Sequence, residues 1–402
     1  VNTTRRDFLW GAAAASLLPG CLGRKQGLSR SARELVRASL ADLGPGPVLD
    51  CHVHIVGLGR GGTGCWVHPR MTDAVSHPKD WARFQVYQAA AGVKDLSKAD
   101  SSYVEVLTQR LDAMPVPVRA LIFAFDQVYD DKGRAQPEIS EFHTPDSHVL
   151  ALARDRPQLV PVASVHPYRL DAVEALHSAA AQGAVAVKWL PNAQRMDPAS
   201  ALCDRAYRAL QELGLPLITH AGHEQAVEAE AAQALGCPLR LRRALDAGVK
   251  VIVAHCASLG VYPDSDDPMR TVRPSLDLFL RLMDTKEYEG RIWGDISALT
   301  VFTRIDDALP RVLRRTDLHH RLIHGSDYPI PAIDPLINTW QILAADLIDS
   351  EDRAPLSELW DRNPFLFDLV LKRRLRAAED PTIRFPPSVF QPPAGLFPRL
   401  GA

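Results

Sequence analysis

The chain reads as an α/β protein, a (β/α)8 TIM barrel with a long insertion after its first strand and a proline-rich strap at its C-terminal end. Three observations predict this. Eight short apolar runs recur, at 47–53, 118–125, 159–165, 184–190, 215–220, 249–255, 291–296 and 320–325. Segments with apolar residues at helical spacing, such as 171–181 and 200–213, separate most of them. Strands that are apolar throughout need cover on both faces, which a parallel sheet wrapped by helices supplies. Thirdly, residues capable of metal chemistry stand at the ends of several runs, and a parallel barrel gathers its strand C-termini on one face. An open doubly wound sheet is the alternative, but no run is followed by a glycine-rich phosphate loop.

Composition fits a single large domain. The 402 residues are 46% hydrophobic and 23% charged, enough to bury a core without disulfides. The formal net charge is −2, and no basic stripe stands out, which argues against a nucleic-acid partner and for a small-molecule one. There are six cysteines and no CxxC pair, so a zinc finger is not expected. Cys51 and Cys256 lie inside apolar runs and read as small core residues.

Taken in order, residues 1–21 read as an export signal. Arg5-Arg6 precede a short apolar stretch, Trp10 to Leu18, and then Leu18-Pro19-Gly20-Cys21. That order matches a twin-arginine leader ending in a lipoprotein box, with Cys21 as the site of a membrane tether. The expected location is the periplasm, or the outer side of the cytoplasmic membrane. Residues 22–46 read as a polar tether with a short helix, 47–376 as the barrel, and 377–402 as a C-terminal extension. Residues 55–100 form a connection too long for a barrel loop, and read either as a lid or as a surface insertion. The closing FPPSVFQPPAGLFPRL has too many prolines for a regular helix.

The chemistry sits at the run ends. His52 and His54 flank Val53, so with a period of two both imidazoles face one side. Asp50 is expected on that same side, bonded to an imidazole or to a barrel neighbour. Lys188, His220, His255 and Asp327 close or follow the runs AVAVKW, LPLITH, VIVAH and RLIHGSD. Asp327 alone would be read as a helix cap, and His220 alone as a core histidine. Their convergence points instead to a divalent metal, zinc suiting an imidazole-rich set best.

These motifs together, DCHVH, VKWLP, LITHAGHE, IVAH, HGSDYP and the closing DRNPFLFDLV with Asn363, resemble the amidohydrolase superfamily of metal-dependent barrel enzymes. The resemblance implies that His52, His54 and Asp327 hold a first metal ion. His220 then completes a mononuclear site or binds a second ion. His255 either polarises substrate or water, or binds that second ion. Lys188 is either a carboxylated bridge between two ions or a charge partner in the site. An ammonium has no lone pair at its ordinary pKa of about 10.4, so the bridge requires reaction with CO2. The catalytic set implied is Asp327, His255 and Lys188.

The expected activity is metal-dependent hydrolysis of an amide, ester or lactone by activated water. Non-oxidative decarboxylation is the enzymatic alternative, and a tethered, non-catalytic metal- or ligand-binding protein the other. His166, Arg169, Trp189 and Tyr328 lie near run ends as substrate contacts, with Asn192, His223 and Asp295 as further lining. His143 and His148 read as structural. His319 and His320 precede the last strand, on the face away from the site.

Overall fold

The computed structural model describes residues 27–334 and 336–400. The leader and Cys21 lie outside the described residues. Each apolar run supplies one barrel strand: β1 (Val48–His54), β2 (Val118–Phe123), β3 (Leu159–Ala163), β4 (Ala186–Trp189), β5 (Leu217–His220), β6 (Val251–Ala254), β7 (Ile292–Asp295) and β8 (Leu322–Ile323). They form one eight-stranded parallel sheet in chain order. Three backbone bonds join the β8 segment to β1. Cys51 N donates to His324 O at 3.0 Å, His54 N to Tyr328 O at 3.0 Å, and Asp327 N to His52 O at 2.8 Å. The fold is the nearly closed (β/α)8 barrel that the run spacing predicts.

The barrel interior is filled by one parity of each strand. Leu121 and Phe123, Val160 and Val162, Ile218, Ile252, Trp293 and Ile323 share one apolar cluster with Leu49 and Cys51. By simple alternation from Leu49 and Cys51, His52 and His54 would face outward. They do not, because the β1–β2 register shifts between Asp50 and Val53. This bulge sets one extra residue against β2 and re-aims the residues after it. Val53 therefore packs in the outer, helix-facing cluster, and His52 turns inward against Phe123. It also corrects the expectation for Asp50. That side chain is not on the histidine face; its Oδ1 accepts from Ser326 N (2.8 Å) and His52 N (3.1 Å), locking β8 to β1.

The C-terminal extension seals the other end. Leu396, Phe397 and Leu400 join the interior cluster. Val389 O accepts from His324 N at 2.7 Å, and Gly395 O from Lys250 Nζ at 2.6 Å. The prolines leave carbonyls without the amides of a helix, and barrel side chains and backbone satisfy them.

Two other segments differ from, or decide, the expectation. The polar tether is a docked helix over Arg30–Leu40. Ser29 caps it, accepting from Ala32 N at 3.2 Å. Ala32, Leu35, Val36 and Ser39 recur at helical spacing and are buried, against the helices Ser350–Arg362 and Pro364–Arg374. The charged residues that suggest a tether occupy only its outer face. The 55–100 insertion covers the C-terminal end of the barrel. Trp66–Val67 pairs antiparallel with Phe142–His143, followed by helices Pro78–Ala91 and Ala99–Asp112. Its glycine loop wraps the buried Asp100 carboxylate, which accepts from Leu58 N, Gly59 N and Arg60 N at 2.8–3.1 Å. Gly59 has φ +76°, and a Cβ there would lie 2.7 Å from Cys65 O, so the loop needs glycine. Asn363 caps the Pro364–Arg374 helix through Phe365 N and donates to Arg110 O at 2.7 Å. No helix among the described residues is long and apolar enough to cross a membrane.

Candidate metal centre

β1 delivers two imidazoles and the β8 turn one carboxylate to a single point. His54 Nε2 lies 3.2 Å and His52 Nε2 3.4 Å from Asp327 Oδ1, and the two imidazole nitrogens are 3.3 Å apart. Asp295, at the end of β7, accepts from His52 Nδ1 at 2.8 Å. That bond fixes the tautomer and leaves the lone pair on Nε2. Burial, then the neighbouring Lys188, holds His52 well below the usual imidazole pKa. Three lone-pair donors thus crowd one another with no second proton expected on His52, at Nε2, to relieve them. This donor set fits a divalent cation.

Three further groups surround that point. Lys188, fully buried on β4, places Nζ 3.3 Å from His52 Nε2 and 4.7 Å from the centre of the Phe123 ring. Burial lowers its pKa, opposed by Asp295 and Asp327. His255 Nδ1 donates to Ser297 O (3.1 Å) and lies 2.8 Å from Ser297 Oγ, and its Nε2 stands 4.0 Å from Asp327 Oδ2. Its ring stacks on His52 at 4.9 Å. His220 ends β5, with Nδ1 3.4 Å from Glu224 Oε2 and a buried Nε2 that has no hydrogen-bond partner. His52, His255 and Asp295 also bring donor atoms together, but on the Nδ1 side of His52. His220 joins neither three-donor group.

The turns that aim these side chains are strained. His255, Cys256 and Ala257 have φ of 54°, 50° and 50°, and Asp327 has φ 63°. Left-handed backbone at a non-glycine residue costs about 1–3 kcal/mol and survives only where the surroundings impose it. Here they do: His255 N donates to Asp295 Oδ1 at 2.9 Å, and the buried Lys372 donates to Gly325 O at 2.6 Å, two residues before Asp327. Lys372 also pairs with Asp368 at 2.7 Å. Burial raises the Asp368 pKa to about 7, against the pull of Lys372.

The donors floor a cavity of about 220 Å³. Its upper wall is apolar, with Val67, Met71 and Phe84 from the insertion facing Leu190, Val301 and Leu336. The insertion is therefore cover for the site. A buried cluster holds it down: Arg83 pairs with Glu141 at 2.7 Å and with Asp80 at 3.0 Å.

His52, His54, Lys188, His220, His255 and Asp327 all reach the cavity. The four expected substrate contacts do not line it. His166 is fully buried and bonded through Nε2 to Gln194 O at 3.0 Å. Arg169 is paired with Asp126 (3.0 Å) and Asp171 (2.8 Å). Trp189 is sealed in the outer core and donates to Val165 O at 2.8 Å. Tyr328 stacks on Phe365 at 4.6 Å and meets Arg110 through its hydroxyl at 2.6 Å. Trp189 is one residue from Lys188 on β4, where the alternation sends it outward; His166, Arg169 and Tyr328 lie past strand ends and are held by the contacts just named. Of the further lining residues, His223 is in the cavity wall, and Asp295 lies behind His52 as its hydrogen-bond partner. Asn192 is buried, donating to Gly222 O at 3.2 Å. The sequence reading missed Glu224, Glu141, Tyr87 and Arg304 in the wall. Only Glu224 had a signal, four residues after His220 in LITHAGHE.

A (β/α)8 barrel with metal-ligating groups gathered at its strand C-termini defines a metal-dependent barrel enzyme. The amidohydrolase profile matches residues 49–356, and the chain belongs to that family. No curated protein matches it. Solved structures of similar fold include an uncharacterised barrel protein from Bordetella bronchiseptica, at 13% identity over 81% of this chain and 99% of that one, with TM-score 0.47. A probable 2-pyrone-4,6-dicarboxylic acid hydrolase from Acinetobacter baumannii shares 15% identity over 81% and 96%, TM-score 0.42. A dihydroxybenzoic acid decarboxylase from Polaromonas with bound manganese shares 12% over 80% and 97%, TM-score 0.42.

Proposed function

We propose that the protein is a metal-dependent hydrolase of a small molecule carrying an amide, ester or lactone. The observation that carries this is the meeting of His52 Nε2, His54 Nε2 and Asp327 Oδ1 within 3.4 Å of one another on the floor of a cavity. These three residues would hold the ion, with His220 nearby as a further donor. When bound, such an ion polarises a carbonyl and lowers the pKa of water from 15.7 to about 7. Zinc is the proposed ion, because the donor set is rich in imidazole.

The chain's own residues supply the rest. Asp327 turns Oδ1 to the histidines and leaves Oδ2 on the His255 side, free to take a proton. His255, held at Nδ1 by Ser297, presents Nε2 to the cavity for orienting a substrate oxygen. Lys188 balances Asp295 and Asp327 as a cation in the mononuclear form; its carboxylation would be required only for a second ion. The apolar cover excludes bulk water from the floor. The twin-arginine leader and Cys21 support an exported, membrane-tethered location, which fractionation of the wild type against Cys21→Ala would test.

The deciding measurement is metal content per chain in protein purified without added metal. We expect about one ion, retained in Lys188→Ala and lost in Asp327→Ala. Two ions falling to one or none in Lys188→Ala would convert the site to the bridged, binuclear form. No metal, even after incubation with zinc or manganese, would overturn the proposal. Turnover on an ester, amide and lactone panel supports hydrolysis; release of CO2 from an aromatic acid without hydrolysis product would replace it with decarboxylation.

A further inference from the structure

Arg304 follows β7 and lines the cavity beside Thr303 and Val301. Its Nε donates to Ser258 Oγ at 2.8 Å, and Nη1 reaches Ala298 O at 3.5 Å. A guanidinium has five N–H donors in a planar fork, and Nη2 makes no hydrogen bond to a described residue. Arg83 pairs with Glu141, Arg169 with Asp126, and Arg376 with Asp346 and Asp349; Arg321, which like Arg304 has no ion pair among the described residues, lies away from the cavity and donates to Met283 O at 2.7 Å. Arg304 forms no ion pair among the described residues.

The carboxylates around it are committed elsewhere. Asp327, Glu224 and Asp295 act on Arg304 electrostatically, but Glu224 Oε1 takes Ala226 N and Val227 N and its Oε2 faces His220. Asp327 Oδ1 faces the β1 histidines, and Asp295 is bonded to His52 and to His255 N. A cation left with an open fork in a cavity wall whose carboxylates are engaged elsewhere is matched by an anion from outside the chain.

We propose that Arg304 is the residue that binds a carboxylate on the substrate, and that the substrate is a small organic acid with an apolar body. The body is matched by Met71, Phe84, Leu190, Val301, Ile330 and Leu336. The assignment of that acid as substrate rests on the hydrolase reading; the anion site itself rests on Arg304. Ser258 gives the site a second consequence. It is three residues past His255, at the end of the left-handed turn, so an anion on Arg304 also steadies the turn that aims His255.

Isothermal titration of the zinc-loaded protein tests this with two matched pairs: benzoate against benzamide, and 3-phenylpropionate against its amide. The wild type is expected to bind at least one acid tenfold or more tightly than its amide. Arg304→Met should erase that preference, and Arg304→Lys should keep part of it, retaining charge but not the fork. Metal content and melting temperature, measured on the same samples, should match the wild type in both variants. A carboxylate preference that survives Arg304→Met, that vanishes when zinc is stripped, or that is absent from the wild type for both pairs overturns the proposal. Loss of metal binding in the wild type is a separate result, which removes the hydrolase reading while the Arg304 comparison, run on the same protein, still decides the anion site.

Discussion

At the N-terminal ends of the barrel strands the interior positions are Leu49, Leu121, Val160, Val185, Ile218 and Ile252, capped by Leu396, Phe397 and Leu400. At the C-terminal ends of the same strands, interior positions hold Lys188, His220, Asp295 and, beyond the bulge, His52 and His54. One end is satisfied by packing alone. The other buries four of these ionisable groups and half-buries His54, beside left-handed backbone and an imidazole nitrogen without a partner among the described residues, each of which costs folding free energy. The difference teaches how a barrel tolerates such a site: cohesion is concentrated where the chemistry is not.

The largest effect that sharpens this contrast is expected at the sealed end. Leu396→Ala, at a fully buried position, should destabilise the fold by about 2–5 kcal/mol, read by denaturant unfolding. Metal content should stay at the wild-type value. A Leu396→Ala protein that folds normally but loses metal would break the division between the two ends.

Next in size is Asp295→Asn. It keeps the shape beside His52 but removes the charge that accepts from Nδ1. Losing such a partner typically weakens metal affinity about 10–100-fold, measurable by competition with a chelator. Stability of the metal-free form should change little.

The pH dependence should also belong to the catalytic end. Burial raises the Asp146 pKa from 3.8 to about 7, against the hydrogen bond from Ser164 N. The folded state then holds that proton through a range in which the unfolded chain has released it. Its contribution is fully present below the unfolded pKa and is lost as pH rises toward 7. Asp146→Asn should flatten the decline in unfolding free energy between pH 4 and 7; an unchanged slope would assign the decline elsewhere. The smallest effect is expected far from both ends. Glu34→Ala breaks the Arg30–Glu34 pair, whose side chains are 86% and 54% exposed, and should cost no more than about 0.5 kcal/mol.

The strands were legible because a doubly covered strand must be apolar at every position, and few other elements write that pattern. The six cavity-facing ligand candidates were legible because each ends such a run. The failures have equally local causes. Trp189 sits beside Lys188 on an extended strand, where adjacency means opposite faces, and Tyr328 follows the left-handed turn at Asp327, which the sequence does not announce. Asp295 was seen as lining only, since its partner His52 is 243 residues away. Arg304 carries no motif at all; its role depends on which carboxylates lie near it, which only the folded chain decides. The short helix expected within 22–46 is present at Arg30–Leu40, but its docking was hidden by the charges on its outer face.

The bulge between Asp50 and Val53 divides β1 into two half-strands of different phase. The lower half, Val48 to Asp50, takes its phase from β2 and the C-terminal plug. The upper half, Val53 and His54, pairs with Ile122 and Phe123 of the same β2 in the shifted register and is also bonded to the β8 turn that bears Asp327. The joint works as a phase shifter: one extra residue lets a single strand show Leu49 and Cys51 to the apolar plug and two imidazoles to the carboxylate above it.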